Sequence, residues 1–166
     1  KHYQAPHYRY LKRTLQALQW LRGPDRWIMK SPQHVEQLPA LREVFPDATY
    51  IITHRDPVSI VTSLCTMITY AARIGRDPVR PQEIASYWID RVEKMLNACV
   101  RDARQLPADQ TIHVHFSDFM ADDLGTIEKI YTLADHPLTP QIRSAMFSYT
   151  DAHPRAKLGR IEYDLE

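Results

Sequence analysis

Arg55 and Ser63 are the two side chains whose types and spacing most favour binding an anion. Arg55 follows residues 49–53, an apolar, β-branched run that predicts a buried strand. In an open α/β sheet, ligands collect beyond the carboxyl ends of the strands, where Arg55 stands. A helix predicted from Val58 places Ser63 about two turns along it, and its first amides favour negative charge. Because arginine makes paired hydrogen bonds to phosphate, the segment predicts a phosphate site.

These residues also allow a structural interpretation. Arg55 can pair with Asp56 or with another neighbouring carboxylate, and Ser63 can be a small residue on a packed helix. Spacing alone does not separate the two interpretations.

Lys30 and His34 form a second candidate site. Residues 26–30 are a short apolar run between turn residues, which predicts a buried strand with Lys30 at its carboxyl end. Histidine accepts a proton near neutral pH, and lysine stabilises developing negative charge. One histidine among eight is weak evidence by itself, and the residues alone favour a surface residue or a neighbour of a helix N-cap.

The C-terminal segment carries a third group of basic residues. They are His153, Arg155, Lys157 and Arg160, and Gly159 among them lets the backbone approach a ligand closely. Charged tails are normally just solvated. A basic tail together with a basic strand end is nevertheless what an enzyme needs to hold a polyanion and close over it.

His113 and His115 alternate along the last predicted strand, so both lie on one face. No Cys, Asp or third His is spaced with them to complete a zinc site, and we predict no metal. The aromatic residues lie on helical core faces and do not interleave with a basic stripe, which disfavours nucleic-acid binding.

Helical and extended patterns alternate along the chain. The predicted strands cover residues 26–30, 49–53 and 111–116, and the predicted helices cover residues 3–22, 34–45, 58–74, 81–106, 124–134 and 139–149. Such alternation, with strands apolar on both faces, predicts an α/β fold in which helices flank a parallel sheet. Three strands make a small sheet and the chain opens at Lys1 without Met, so we expect one domain over residues 1–166 whose N-terminal part is missing.

Composition narrows the functional class. The chain has 166 residues, 44% hydrophobic and 25% charged, close to the globular average. Its net charge of +1 provides no overall field to attract nucleic acid or an anionic membrane. No apolar run is long enough for a bilayer and no secretory signal opens the chain. With Cys65 and Cys99 inside helical patterns, we expect a cytoplasmic protein, compatible with a homo-oligomer.

Four motifs occur in an order found in one known family. They are W-I-M-K-S-P-Q-H, F-P-D-A-T-Y-I-I-T-H-R-D-P-V-S-I-V-T-S, V-H-F-S-D-F and K-L-G-R-I-E-Y-D-L. From about Trp27 to its C-terminus, the chain resembles the sulfotransferases that use 3'-phosphoadenosine 5'-phosphosulfate (PAPS), especially the bacterial type. The strand-Arg-Asp-Pro-helix-Ser element is the most specific part of the resemblance.

The resemblance implies a fold, a reaction and a set of site residues. The fold is a P-loop nucleotide-kinase-like parallel sheet. The reaction transfers the sulfuryl group of PAPS, without a metal, to a hydroxyl of a small or lipidic acceptor and leaves 3'-phosphoadenosine 5'-phosphate (PAP). Arg55 and Ser63 match the residues that hold the 3'-phosphate. In the family, a basic C-terminal loop reaches the same phosphate. The residues that resemble this loop are Arg155, Lys157, Gly159 and Arg160.

Three departures from the family pattern bear on activity. None of the four glycines forms the loop that grips the 5'-phosphosulfate, so we expect that loop before Lys1 and expect a chain without it to be inactive. Phe116 stands where the family often has a Tyr near the adenine, which keeps a ring but no phenolic hydrogen bond. His34 lies two residues beyond the family's catalytic His position. It is the candidate base, and Lys30 the candidate residue for stabilising the transferring oxygens.

The acceptor and two alternative classes stay open. The apolar residues Met67, Ile68, Tyr70 and Trp88 favour an apolar or lipidic alcohol over a polysaccharide, although they serve equally well as core. Another P-loop phosphotransferase would need a Walker-type loop and a Mg²⁺-binding Ser or Thr. A non-catalytic nucleotide-binding or anion-binding domain would instead dock its helical faces to a partner.

Overall fold

Two strands lie among a larger number of helices in the computed structural model, which describes residues 3–23 and 26–154. The helices of this part are α1 (Ala5–Arg22), α2 (Leu38–Val44), α3 (Pro57–Ala72), α4 (Pro81–Asp102), α5 (Phe116–Ala121), α6 (Asp123–Leu133) and α7 (Pro140–Ala152). Its 3₁₀ segments are Pro32–Glu36, Ala103–Gln105 and Ala108–Gln110. Strands β1 (Tyr50–His54) and β2 (Thr111–His115) form a small parallel sheet, which confirms the predicted α/β class. Of the described helices, none has the length and apolar character to cross a membrane.

The first of two compact units contains the chain up to Tyr50 together with Arg80–Gln110. Helix α1 packs on α2, and Ala5, Tyr8, Ala40 and Val44 form the buried cluster between them. Helix α4 packs against the Pro32–Glu36 3₁₀ helix and against α2. The face of α4 that turns inward carries Val92 and Ala98, which are buried.

The second unit contains Ile51–Val79 and the described residues from Thr111 onward. Its core includes Ile52 of β1 and Val114 of β2, together with the hydroxyl-bearing Thr126 of α6. Helices α5 and α6 pack against β2. Because parallel strands end at the same edge of a sheet, the residues that follow β1 and β2 emerge side by side.

One predicted strand and one predicted helix differ from the structure. Residues 26–30 form no strand, and Ile28 is 90% exposed. An apolar run predicts an extended backbone, but a strand also needs a pairing partner, and the described residues offer none there. The helix predicted over residues 34–45 is divided at Gln37, because Pro39 in the first turn of α2 has no amide hydrogen to continue a helix from Glu36.

The turn after β2 also differs from the prediction. Ser117 and Asp118, expected to cap the next helix, lie within α5. Asp122 caps α6 instead, and its carboxylate accepts a hydrogen bond from the Gly125 amide at 2.8 Å.

Candidate functional site

Arg55 and Phe116 meet at the carboxyl edge of the sheet. The guanidinium carbon of Arg55 lies 4.8 Å from the centroid of the Phe116 ring, a cation–π contact, and both residues are exposed. Among residues 3–23 and 26–154, no carboxylate lies within 4.0 Å of the Arg55 side-chain nitrogens. Two residues predicted to bind the nucleotide are therefore in contact, and the edges of the guanidinium remain accessible.

Asp56 is the N-cap of α3 and is not the salt-bridge partner of Arg55. Its carboxylate accepts hydrogen bonds from the Ser59 hydroxyl at 2.7 Å, the Ser59 amide at 2.8 Å and the Val58 amide at 3.4 Å. These bonds, the Ser59 hydroxyl above all, lower the pKa of Asp56. The amide of Ile60 binds the Asp56 carbonyl. The first amides of α3, predicted to favour a bound anion, are thus occupied by Asp56, and an anion here must be held by side chains.

Ser63 lies in the second turn of α3 and is half-buried. Within the described part of the chain its hydroxyl has no hydrogen-bond partner. The neighbouring hydroxyls of Thr62 and Thr66 differ, since each donates at 2.8 Å to the carbonyl four residues earlier. The donor and the acceptors of the Ser63 hydroxyl are therefore unused by the described residues.

Three histidines stack on the paired strands next to Arg55: His54 and His115 end β1 and β2, and His113 lies in the middle of β2. The His54 ring lies 5.0 Å from the His113 ring and 4.9 Å from the His115 ring, with interplanar angles of 22° and 25°. His54 Nε2 and His113 Nδ1 are 2.8 Å apart and share a hydrogen bond. Across the described residues, no three His, Cys, Asp or Glu side chains are arranged to bind a metal. The sequence does not indicate that His54 is a third member of this group. The pairing of β1 with β2 brings it beside the other two.

Acidification should destabilise the fold through this cluster. Burial, and then the charges of His113 and His115, lower the pKa of His54 in the folded protein. The unfolded chain then binds a proton at a higher pH, so stability is complete above about pH 6.5 and is lost as the pH falls through the lowered value. Urea denaturation between pH 7.5 and 5 should show this loss, reduced in His54→Gln and retained in His7→Gln, which changes an exposed histidine on α1. An equal dependence of the unfolding free energy on pH in wild type and His54→Gln would contradict this prediction.

His34 lies in the first unit, in the middle of the Pro32–Glu36 3₁₀ helix. Ser31 caps this helix, since its hydroxyl oxygen accepts from the Gln33 amide at 3.4 Å. His34 Nδ1 lies 2.9 Å from the hydroxyl oxygen of Tyr8 on α1, and burial lowers the pKa of His34. Lys30, just before this helix, is exposed. No local sequence pattern predicts the Tyr8 contact, because 26 residues separate the partners.

Glu36 and Arg91 fasten the same 3₁₀ helix to α4. Both oxygens of Glu36 accept from the Arg91 guanidinium, a bidentate pair. The Glu36 side chain is 10% exposed and the Arg91 side chain 29%. The hydrogen bond to Glu36 raises the pKa of Arg91. The pair fixes one end of the helix that carries His34.

The predicted residues of the basic tail, Arg155, Lys157, Gly159 and Arg160, lie outside the described residues. His153 is described: its ring stacks on Tyr149 at 4.3 Å, and its Nδ1 donates to the Tyr149 carbonyl at 2.9 Å. It therefore closes the end of α7. Of the residues suggested for the acceptor pocket, Met67 and Tyr70 are largely exposed.

Comparison with known proteins agrees with this fold. The chain is similar to the crystal structure of sulfotransferase STF9 from Mycobacterium avium, with a TM-score of 0.84 and 27% identity over 93% of the chain. It is also similar to that of sulfotransferase STF1 from Mycobacterium tuberculosis H37Rv, with a TM-score of 0.77 and 25% identity over 90% of the chain. It spans 40% of the length of the first and 41% of the second.

No curated protein matched the sequence. The sequence model of the sulfotransferase family matches residues 2–140. That region covers most of the chain and contains Lys30, His34, Arg55, Ser63 and Phe116. The chain, with Arg55 at the carboxyl edge of its sheet, therefore belongs to the sulfotransferase family.

Proposed function

We propose that the protein transfers the sulfuryl group of PAPS to a hydroxyl of a small or lipidic acceptor, as a cytoplasmic enzyme of the bacterial type. Membership of the sulfotransferase family supports the transferase class. The observation that carries the donor assignment is the exposed Arg55 guanidinium, stacked on Phe116, while Asp56 is engaged as a helix cap. The free thiols Cys65 and Cys99, whose pKa burial raises, suit a reducing compartment.

The proposed donor site uses side chains rather than the helix terminus. Arg55 would hold the 3'-phosphate by its planar fork, and the Ser63 hydroxyl would donate to the same group. Phe116 supplies an exposed ring beside the arginine, for contact with the adenine. Arg155, Lys157, Gly159 and Arg160 stay proposed contributors from the tail. PAPS supplies the activated sulfuryl group, and no metal is required by these groups.

The proposed acceptor residues are Lys30 and His34. The acceptor oxygen forms a bond to sulfur, the bond from sulfur to the 5'-phosphate oxygen breaks and releases PAP, and the proton of the acceptor hydroxyl passes to the released 5'-phosphate or to solvent. By analogy with phosphoryl transfer, the transition state is loose, so positioning and charge stabilisation supply most of the catalysis. The Lys30 ammonium would stabilise the oxygens on which charge develops, and His34 would contact the acceptor hydroxyl or the sulfuryl group.

Ligand-dependent stability tests the proposal. Because a ligand that binds only the folded state stabilises it by RT ln(1 + [L]/Kd), PAP at about 100 times its Kd should add about 2.7 kcal/mol and raise the melting temperature. ATP with Mg²⁺ should not. PAP release from PAPS by the full-length protein should then be measured with a panel of alcohols. Stabilisation by ATP and Mg²⁺ but not by PAP would favour a phosphotransferase. Tight PAP binding without transfer to any alcohol would favour a binding domain.

A further inference from the structure

Tyr8 is the hydrogen-bond partner of His34. Its hydroxyl oxygen lies 2.9 Å from His34 Nδ1, and its ring packs edge-on against Phe45 at 6.5 Å. Tyr8 is 8% exposed and belongs to the core between α1 and α2. In the part of the chain that the structure describes, the Tyr8 hydroxyl has no hydrogen-bond partner other than His34.

The protonation states of both partners follow from their burial. Burial raises the pKa of Tyr8, which keeps its hydroxyl proton, and lowers the pKa of His34, which favours the neutral imidazole. A neutral imidazole has one N–H and one acceptor nitrogen. If Tyr8 donates to Nδ1, both groups are satisfied and the N–H of His34 is on Nε2. The opposite tautomer would donate from Nδ1 to the phenol and leave a buried O–H without an acceptor.

We propose that Tyr8 is a positioning residue that holds neutral His34 as its Nε2–H tautomer, so that His34 meets the substrates as a hydrogen-bond donor. This inference rests on the proposed function, which places His34 at the acceptor. It differs from the role expected from the sequence, because a nitrogen that already carries a proton cannot accept another from the acceptor hydroxyl. As a donor, Nε2–H stabilises negative charge on a sulfuryl or acceptor oxygen.

The tautomer is measurable without activity. In protein labelled with ¹⁵N-histidine, long-range ¹H–¹⁵N spectra above the His34 pKa should show an unprotonated Nδ1 and a protonated Nε2, with His34→Gln identifying the signals. Tyr8→Phe, which keeps the ring against Phe45, should move the tautomer ratio towards that of free imidazole. Tyr50→Phe is the matched control, since it removes another buried phenol hydroxyl, which donates to the Phe45 carbonyl, and should leave His34 unchanged. A proton on Nδ1 in the wild type, or an unchanged ratio in Tyr8→Phe, would overturn the proposal.

The pH dependence of kcat/KM provides the second readout. Both the neutral Nε2–H form and the imidazolium donate from Nε2, so protonation of His34 should not by itself abolish turnover. An acidic loss of kcat/KM centred on the His34 pKa measured by NMR, and absent in His34→Gln, would make His34 a base and overturn the donor role. If no acceptor is sulfated, the proposed function is wrong, whereas the NMR spectra still test the tautomer of His34.

Discussion

Replacement of Arg55 with alanine should weaken PAP binding at least tenfold. A hydrogen bond to a charged partner contributes about 1.5 to 3 kcal/mol, and the structure shows no other described cation stacked on Phe116 to replace this one. Among residues 3–23 and 26–154 no carboxylate lies within 4.0 Å of the guanidinium, and Asp56, whose pKa its charge helps to lower, is exposed, so its removal strands no buried acid and should cost little stability. Titration calorimetry with PAP measures the loss.

The loss should depend on the 3'-phosphate alone. Adenosine 5'-monophosphate, which lacks that group, should bind Arg55→Ala and wild type equally. Arg55→Lys keeps the charge but loses the planar fork, so it should recover part of the affinity. Arg73→Ala, at the other end of α3, removes an exposed arginine and is the matched control. Unchanged PAP affinity in Arg55→Ala, or an equal loss for both nucleotides, would reject the assignment of Arg55.

The local order of elements is predictable from the sequence, and long-range pairing is not. Periodic apolar residues predict α4 within a few residues of its bounds, because its inward face repeats every three or four positions. The run at residues 26–30 has the composition of a strand, yet no periodicity can tell whether another strand pairs with it. Ile28, largely exposed, shows that composition without a partner leaves the backbone irregular.

The site residues likewise differ in whether a local sequence pattern predicts them. Arg55 and Ser63 can be selected from the strand-turn-helix pattern, and they remain predicted binding residues. The sequence D-P-V-S also contains the evidence for the Asp56 cap, since an Asp three residues before Ser59 at a helix start is an N-cap arrangement. That pattern already argues against pairing Asp56 with Arg55. The contacts of His34 with Tyr8 and of His54 with His113 depend on packing between elements distant in sequence, so no local pattern predicts them.

Arg91→Ala should lower the free energy of unfolding by about 1 to 3 kcal/mol, between the values for an exposed and a fully buried ion pair, because the pair is only partly buried. Glu36 is 10% exposed and would lose a bidentate partner in a place where water replaces it poorly. Lys94→Ala is the matched control on the same helix. Its pair with Asp90, at 2.5 Å, is about 60% exposed on both sides and should contribute at most about 0.5 kcal/mol. Urea denaturation measures both.

The Arg91 pair should also affect His34, because Glu36 lies two residues beyond it in one short 3₁₀ helix. We expect Arg91→Ala to broaden or shift the His34 imidazole signals, whereas Lys94→Ala leaves them in place. A double-mutant cycle with Glu36→Gln isolates the pair, since a true Glu36–Arg91 coupling makes the double variant less destabilised than the sum of the single variants. Additive losses, or equal effects of Arg91→Ala and Lys94→Ala, would show that the 3₁₀ helix is held by packing on α4 and not by this ion pair.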